Sequence, residues 1–254
     1  RFQACYSPVV DETLLDQFDH AQRLGFELLA ASVECLEEGM SEKDLDGKIR
    51  KLAKAMGFGA WFHPPEIQFG ANTTSNAVWK VPSATQRLKE GDLVVIDCGP
   101  SLGDAYADVG TTHSFGVEEP GVLEVSRECV RATCGFASHW KTVGELFVYA
   151  RAWAVNHRLE LASTRSIGHA IPLKDGLLKY QFPRSAHAAT WLRRNQIRFL
   201  NPSRLEGIWA ICPRLSDGTH GAAFKEMVYV AEGERRVLGR EGIPEIGTLG
   251  SHKA

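Results

Sequence analysis

Across residues 11–38 the apolar positions Leu14, Leu15, Phe18, Ala21, Leu24, Leu28, Leu29, Val33 and Leu36 recur at three- and four-residue steps. That period predicts an amphipathic helix, stopped by Gly39. Ser41-Glu42-Lys43-Asp44 opens a second helix in the manner of a capping box, with Leu45, Ile49, Leu52 and Met56 inward and Gly57 as its stop. Residues 61–74 predict a strand and loop. Leu93-Val94-Val95-Ile96 is an apolar run without alternation, which predicts a strand buried on both faces and ending at Asp97. A loop holding Gly99, Pro100 and Gly103 follows, then a strand-like run over residues 105–115 that carries Asp108. Two helices are predicted over residues 121–143 and 144–161. Short strands follow at residues 166–171, 206–213 and 222–230, interrupted by a polar insert at 172–202. Beyond Arg240 the chain is rich in glycine, which predicts a flexible tail.

The two central strands form a hairpin that brings Asp97 and Asp108 side by side at the end of a buried sheet. Two neighbouring carboxylates cost several kcal/mol there unless a cation or a shared proton neutralises them, roughly by the scale of buried-charge penalties. Composition narrows the setting. The chain has 254 residues, 44% hydrophobic and 24% charged, with a net charge of −2. Those values describe a globular chain and give no support for a nucleic-acid or anionic-membrane partner. No apolar run approaches a bilayer span and no secretory leader opens the residues, so a cytoplasmic location is expected. The six cysteines show no CxxC pair or zinc-finger spacing, and read as mostly buried thiols of a reducing compartment.

The run GDLVVIDCG at residues 91–99 and the run DVGTTHSFGV starting at Asp108 resemble the first metal-binding hairpin of the pita-bread metallohydrolases, the creatinase, prolidase and methionine aminopeptidase family. The helix–turn–helix join GMSEKDL and the order of later motifs extend the resemblance over about residues 11–240. It implies an α+β pita-bread fold: a curved antiparallel sheet in two pseudo-symmetric halves with outer helices. The whole chain, residues 1–254, is then expected to form a single catalytic-type domain. The resemblance also implies a ligand set of Asp97, Asp108, His169 in Gly168-His169-Ala170-Ile171, and Glu226 in the last strand, holding one or two divalent ions. Carboxylate and imidazole suit Mn, Fe, Co or Zn, and a bound water would become hydroxide near neutral pH.

Two positions depart from the family pattern. Where a ligand glutamate precedes proline, this chain has Ile211-Cys212-Pro213. A Cys212 thiolate would restore the lost charge and favour zinc or iron; a buried neutral thiol is the alternative. Trp79 stands where methionine aminopeptidases place a histidine, and an indole can wall a pocket but not act as that acid. His63, before two prolines, reads as structural or as part of the substrate pocket, and His187 is a further pocket candidate. The expected activity is metal-dependent hydrolysis of a peptide or amide bond, with His169, Glu226 and Cys212 as catalytic candidates. Non-peptidase small-molecule chemistry (a lyase or a mononuclear-iron oxidative enzyme) and a metal-free binding module remain alternatives. A small peptide or small molecule is the expected partner, with a homodimer left open.

Overall fold

The computed structural model describes residues 10–75, 81–162, 165–171 and 195–240. Trp79 and His187 lie outside these residues. The chain opens with two helices, α1 (Glu12–Val33) and α2 (Glu42–Ala55). Asp11 caps α1 through Leu14 N, and Ser41 with Asp44 forms a reciprocal capping box at α2. Three long antiparallel partners follow: β1 (Ala60–Phe69), β2 (Leu93–Leu102) and, across β2 from β1, the pair β3 (Ala105–Tyr106) and β4 (Val109–Ser114). The pattern then repeats with α3 (Gly121–Phe136) and α4 (Val143–Asn156).

The later strands are short. A second sheet runs β11 (Glu234–Val237), β10 (Glu226–Ala231), β7 (Gly207–Ile211), β6 (Gly168–Ala170), all antiparallel. A third joins β5 (Glu160–Leu161), β8 (Leu215–Ser216) and β9 (Gly221–Ala222). The apolar stripes account for the layering. Phe26, Leu28, Leu29, Leu45 and Ile49 of the first helix pair pack against Ile67, Phe69, Val94 and Ile96. Cys129, Val130, Leu146, Phe147 and Ala150 of the second pair pack against Trp209, Ile211, Val228 and Val230. A third cluster, with Phe18, Phe62, Tyr106, Ile208 and Met227, joins the two halves.

Two expectations are adjusted. The helix foreseen over residues 121–143 ends at Phe136, and the next ends at Asn156, with the remaining residues to 161 entering β5. Asp97 does not end its strand: β2 continues through Cys98, Gly99 and Pro100, because β1 keeps pairing as far as Ala60↔Ser101. No described helix is long and apolar enough to cross a membrane.

The first and second sheets meet at one line of main chain. Lys225 N donates to Gly110 O at 3.0 Å, and Thr112 Oγ1 both donates to Ala223 O (2.9 Å) and accepts from Ala223 N (2.8 Å). Across that seam Asp97, Gly110 and Lys225 are consecutive cross-strand neighbours. A Cβ at Gly110 would sit 3.2 Å from Lys225 Cβ and 3.7 Å from Asp97 Cγ. The bare glycine leaves the two side chains room to meet.

Candidate functional site

Asp108 occupies the irregular gap between β3 and β4, and α1 holds it there. Gln22 Nε2 donates to Asp108 O (3.2 Å) while Asp108 N donates to Gln22 Oε1 (3.0 Å). Gly25, one turn on, lets α1 press close, since a Cβ there would lie 2.6 Å from Ala107 Cβ. On β1 the Pro64-Pro65 pair cannot donate to the ladder, and register shifts fall on either side of His63. His63 turns inward at this irregularity, against Gly99, where a side chain would come within 2.7 Å of the imidazole.

These elements gather four side chains around Asp108. Lys225 Nζ lies 2.6 Å from Asp97 Oδ1 and 2.6 Å from Asp108 Oδ1. His63 Nε2 stands 3.1 Å from Asp108 Oδ1 and 3.6 Å from Asp97 Oδ1. His169 Nε2 is 3.1 Å from Asp108 Oδ2, although among the described residues that oxygen accepts no well-aligned hydrogen bond. His169 Nδ1 faces its neighbour's carbonyl, Ala170 O, at 2.9 Å. Asp97, Asp108, His63 and Lys225 are all buried, and His169 is the most accessible, its side chain 17% exposed.

Charge explains the arrangement. Burial alone would push the Asp108 carboxyl up, but the Lys225 ammonium, with His169 and His63, holds it well below the usual carboxylate range. Burial opposes the ammonium too, yet Asp108 and Asp97 keep it well above the ordinary lysine range. For His63, burial is outweighed by the Asp108 hydrogen bond and the two carboxylate charges, so it is raised. Both of its ring nitrogens face acceptors, Nδ1 towards Pro64 O at 3.1 Å and Nε2 towards Asp108, a pattern that an imidazolium satisfies. The two carboxylates therefore face the Lys225 ammonium and the imidazoles of His63 and His169.

Glu66 and Arg214 border this cluster. Glu66 is the cross-strand partner of Asp97. Burial, then the Asp97 charge, raises its carboxyl. Arg214 Nη2 lies 3.6 Å from Glu66 Oε1, and its Nη1 donates to Gln68 Oε1 at 2.8 Å.

Among the described residues, one group of donors has the spacing to hold a metal: His63, Asp97 and Asp108, with ligand atoms within 4.8 Å of one another. The full set does not fit a pair of divalent ions. The chain entering β10 delivers an ammonium to the aspartates, not a carboxylate. Adding two divalent charges to a buried pair of carboxylates that already holds an ammonium would leave it strongly positive.

Glu226, expected here as a ligand, goes elsewhere. It follows Lys225 on an extended strand, so the two side chains take opposite faces, and its carboxylate is bound by Arg240 through Nη2 and, at 3.0 Å, Nε. Cys212 is only partly buried as a residue, but its thiol is desolvated and pushed up to about 12, with Lys225 opposing and Asp97 adding to the rise. His63, given above as structural or pocket-lining, joins the aspartates directly. Lys225, Gln22, Glu66 and Arg214 drew no notice in the sequence. The signal for Lys225 was there: in AAFKEMVYV two consecutive charges open a strand, and only one of them can face the aspartates.

The sequence model described as "Metallopeptidase family M24" matches residues 16–232. The chain belongs to metallopeptidase family M24. Solved M24-like structures share its fold. The prolidase from Pyrococcus furiosus aligns with a TM-score of 0.73 at 20% identity, over 91% of this chain and 64% of that one. An X-Pro aminopeptidase from Thermotoga maritima gives 0.71 at 18%, over 92% and 62%. The methionine aminopeptidase of Thermotoga maritima gives 0.72 at 14%, over 91% and 98%. The chain thus spans less than two thirds of the prolidase and X-Pro aminopeptidase chains, and nearly all of the methionine aminopeptidase. A search of curated protein sequences returned no match. The pita-bread α+β fold foreseen from the sequence is the fold of these relatives.

Proposed function

We propose that this M24 member works its site without a resident divalent pair, Lys225 serving as the built-in cation. The observation that carries this reading is the Lys225 ammonium at 2.6 Å from both aspartates. The ligand is a peptide or a small molecule bearing a carbonyl or carboxylate, drawn to a cluster rich in N–H donors. His169, the most accessible member, meets it first. The chemistry supported is proton donation and orientation by His169 and His63 across Asp108, in place of attack by metal-activated hydroxide.

A second reading, a metal-dependent hydrolase cleaving a peptide or amide bond with Mn, Fe, Co or Zn, is favoured by the His63, Asp97 and Asp108 spacing. A metal bound there would supply Lewis acidity, and the ammonium would have to leave to admit it. Elemental analysis and Mn²⁺, Co²⁺ and Zn²⁺ titration of the purified chain separate the two. On the first reading the native chain takes up no metal at micromolar concentrations, while the double variant Lys225→Glu with Cys212→Glu gains it. Stoichiometric metal in the native chain would overturn it.

A further inference from the structure

Helix α4 carries apolar residues on more than its buried face. Leu146, Phe147, Ala150 and Ala154 enter the second core. Val148, Ala152 and Val155, spaced by four and three residues, form another apolar stripe on the solvent side. Val148 and Ala152 line an open groove of about 650 Å³ that Phe136, Tyr149, Phe199 and Leu200 complete. We propose that this groove joins two copies of the chain in a twofold-symmetric dimer, each copy seating its Leu200 in the groove of the other.

The turn at Phe199 and Leu200 is built to present its side chains. Leu200 adopts φ +64°, a backbone region that strains a leucine and is ordinarily left to glycine or asparagine. Yet Leu200 is 79% exposed and Phe199 54%, so burial within the subunit does not account for the strain. Hydrogen bonds around Asn201 hold the turn. Asn201 Nδ2 donates to Gln196 O (3.1 Å), Ser203 N to Asn201 Oδ1 (3.1 Å) and Gly144 N to Asn201 O (2.8 Å). Gly144 admits that close pass, since a Cβ there would lie 3.0 Å from Asn201 O. Phe199 also leans on the buried Phe147, with ring centroids 6.4 Å apart. A fixed apolar knob thus stands beside a groove of the same character, and such a pair is self-complementary under a twofold axis.

Area and charge select a second copy as the occupant. Val148 and Val155 are 47% and 64% exposed, and Trp140, two residues before the groove's Thr142, is 67% exposed. With Phe199 and Leu200, these side chains open roughly 600 Å² of apolar surface, at about 150–250 Å² for a fully exposed large residue, the upper end of what a monomer leaves bare. The polar margin, Thr142 and Asn201, brings the face to about 800 Å², the share each partner gives to a stable dimer. Among the described residues that line the groove, Glu145 alone is charged. Thr142 N and Oγ1 donate to it at 2.8 and 2.9 Å, and Lys141 Nζ lies 3.6 Å away. Facing its own image, the groove therefore sets no uncompensated like charges together, and its centre is charge-poor as dimer interfaces are. The face lies on the solvent side of α4, so the dimer does not depend on how the aspartate cluster works.

The test is sedimentation equilibrium of the intact chain from about 1 to 100 µM. A monomer–dimer equilibrium is expected, with the dimer predominant at the top of the range. Leu200→Asn places a residue at ease in that backbone region and removes two buried leucines per dimer, so association should weaken about a hundredfold or more. Val148→Glu sets two like charges in the apolar centre and should leave only monomer at about 100 µM. Far-UV circular dichroism of both variants should match the native chain. Val117→Glu, at an exposed valine outside the groove, should dimerise as the native chain does. A native chain that stays monomeric at about 100 µM, leaving the groove to a different occupant, would overturn the proposal. So would assembly that continues beyond two copies, a dimer unweakened in Leu200→Asn and Val148→Glu, or one lost equally in Val117→Glu.

Discussion

Replacing Lys225 with methionine removes the ammonium and keeps most of the volume. In the native chain each 2.6 Å contact gives a Coulomb attraction of about 6 kcal/mol at an effective dielectric of about 20. The two aspartate oxygens, within 4.8 Å of each other, then repel by about 3.5 kcal/mol on the same scale. Burial of three ionic groups opposes most of the attraction, so the net loss follows the experience of broken buried pairs, roughly 3–5 kcal/mol. For a chain of this size that lowers the melting temperature by roughly 6–20 °C. Differential scanning calorimetry in a chelating buffer measures it. Manganese or zinc at about a hundredfold over its dissociation constant should return about 2.7 kcal/mol to Lys225→Met, and nothing to the native chain. A variant melting within about 2 °C of native would show that Lys225 is not the counter-ion of Asp97 and Asp108. So would a native protein that gains stability from metal.

Gly168→Ala should destabilise the chain by roughly 3 kcal/mol and disturb His169: its φ is +145°, and a Cβ would fall 2.0 Å from Ala210 O. Thermal melting and the His169 imidazole NMR signals check it. Glu42→Gln should cost about 1.5–3 kcal/mol by urea denaturation, because the buried carboxylate accepts from Phe69 N, Asn72 Nδ2 and Ser83 N and ties the end of β1 to the residue-83 loop. His113 is lowered chiefly by burial, with Glu119 and Glu34 opposing. Its unfolded form therefore binds a proton at higher pH than its folded form. That contribution to stability is complete above about 6.5 and declines as pH falls towards the folded value. Stability against pH should lose this acid-side slope in His113→Gln; an unchanged slope would refute it.

The helices and the buried β2 run were legible because their periods are intrinsic to the chain: Leu14 to Leu29 and Leu93 to Ile96 mark the buried faces that the structure shows. The hairpin of Asp97 and Asp108 was legible for the same reason. The partner of that pair was not. Whether residue 225 or 226 faces the aspartates depends on how β10 registers against β7 and on the Gly110 seam, and a shift of one residue exchanges the two faces. The strand motif points to Glu226, whereas the register presents Lys225. Gln22 was invisible for another reason: a glutamine on the buried side of an amphipathic helix breaks the pattern without announcing what it binds, 86 residues downstream.

The Gly110–Lys225 seam also carries a consequence for synthesis. Asp97 and Asp108 leave the ribosome more than a hundred residues before the lysine that balances them. Until the C-terminal hairpin docks, the first half holds an acidic pair whose side chains have only the His63 imidazole to face. The seam therefore works as a latch: it closes only when both halves are made, and it ties the charge state of the centre to the completion of the chain.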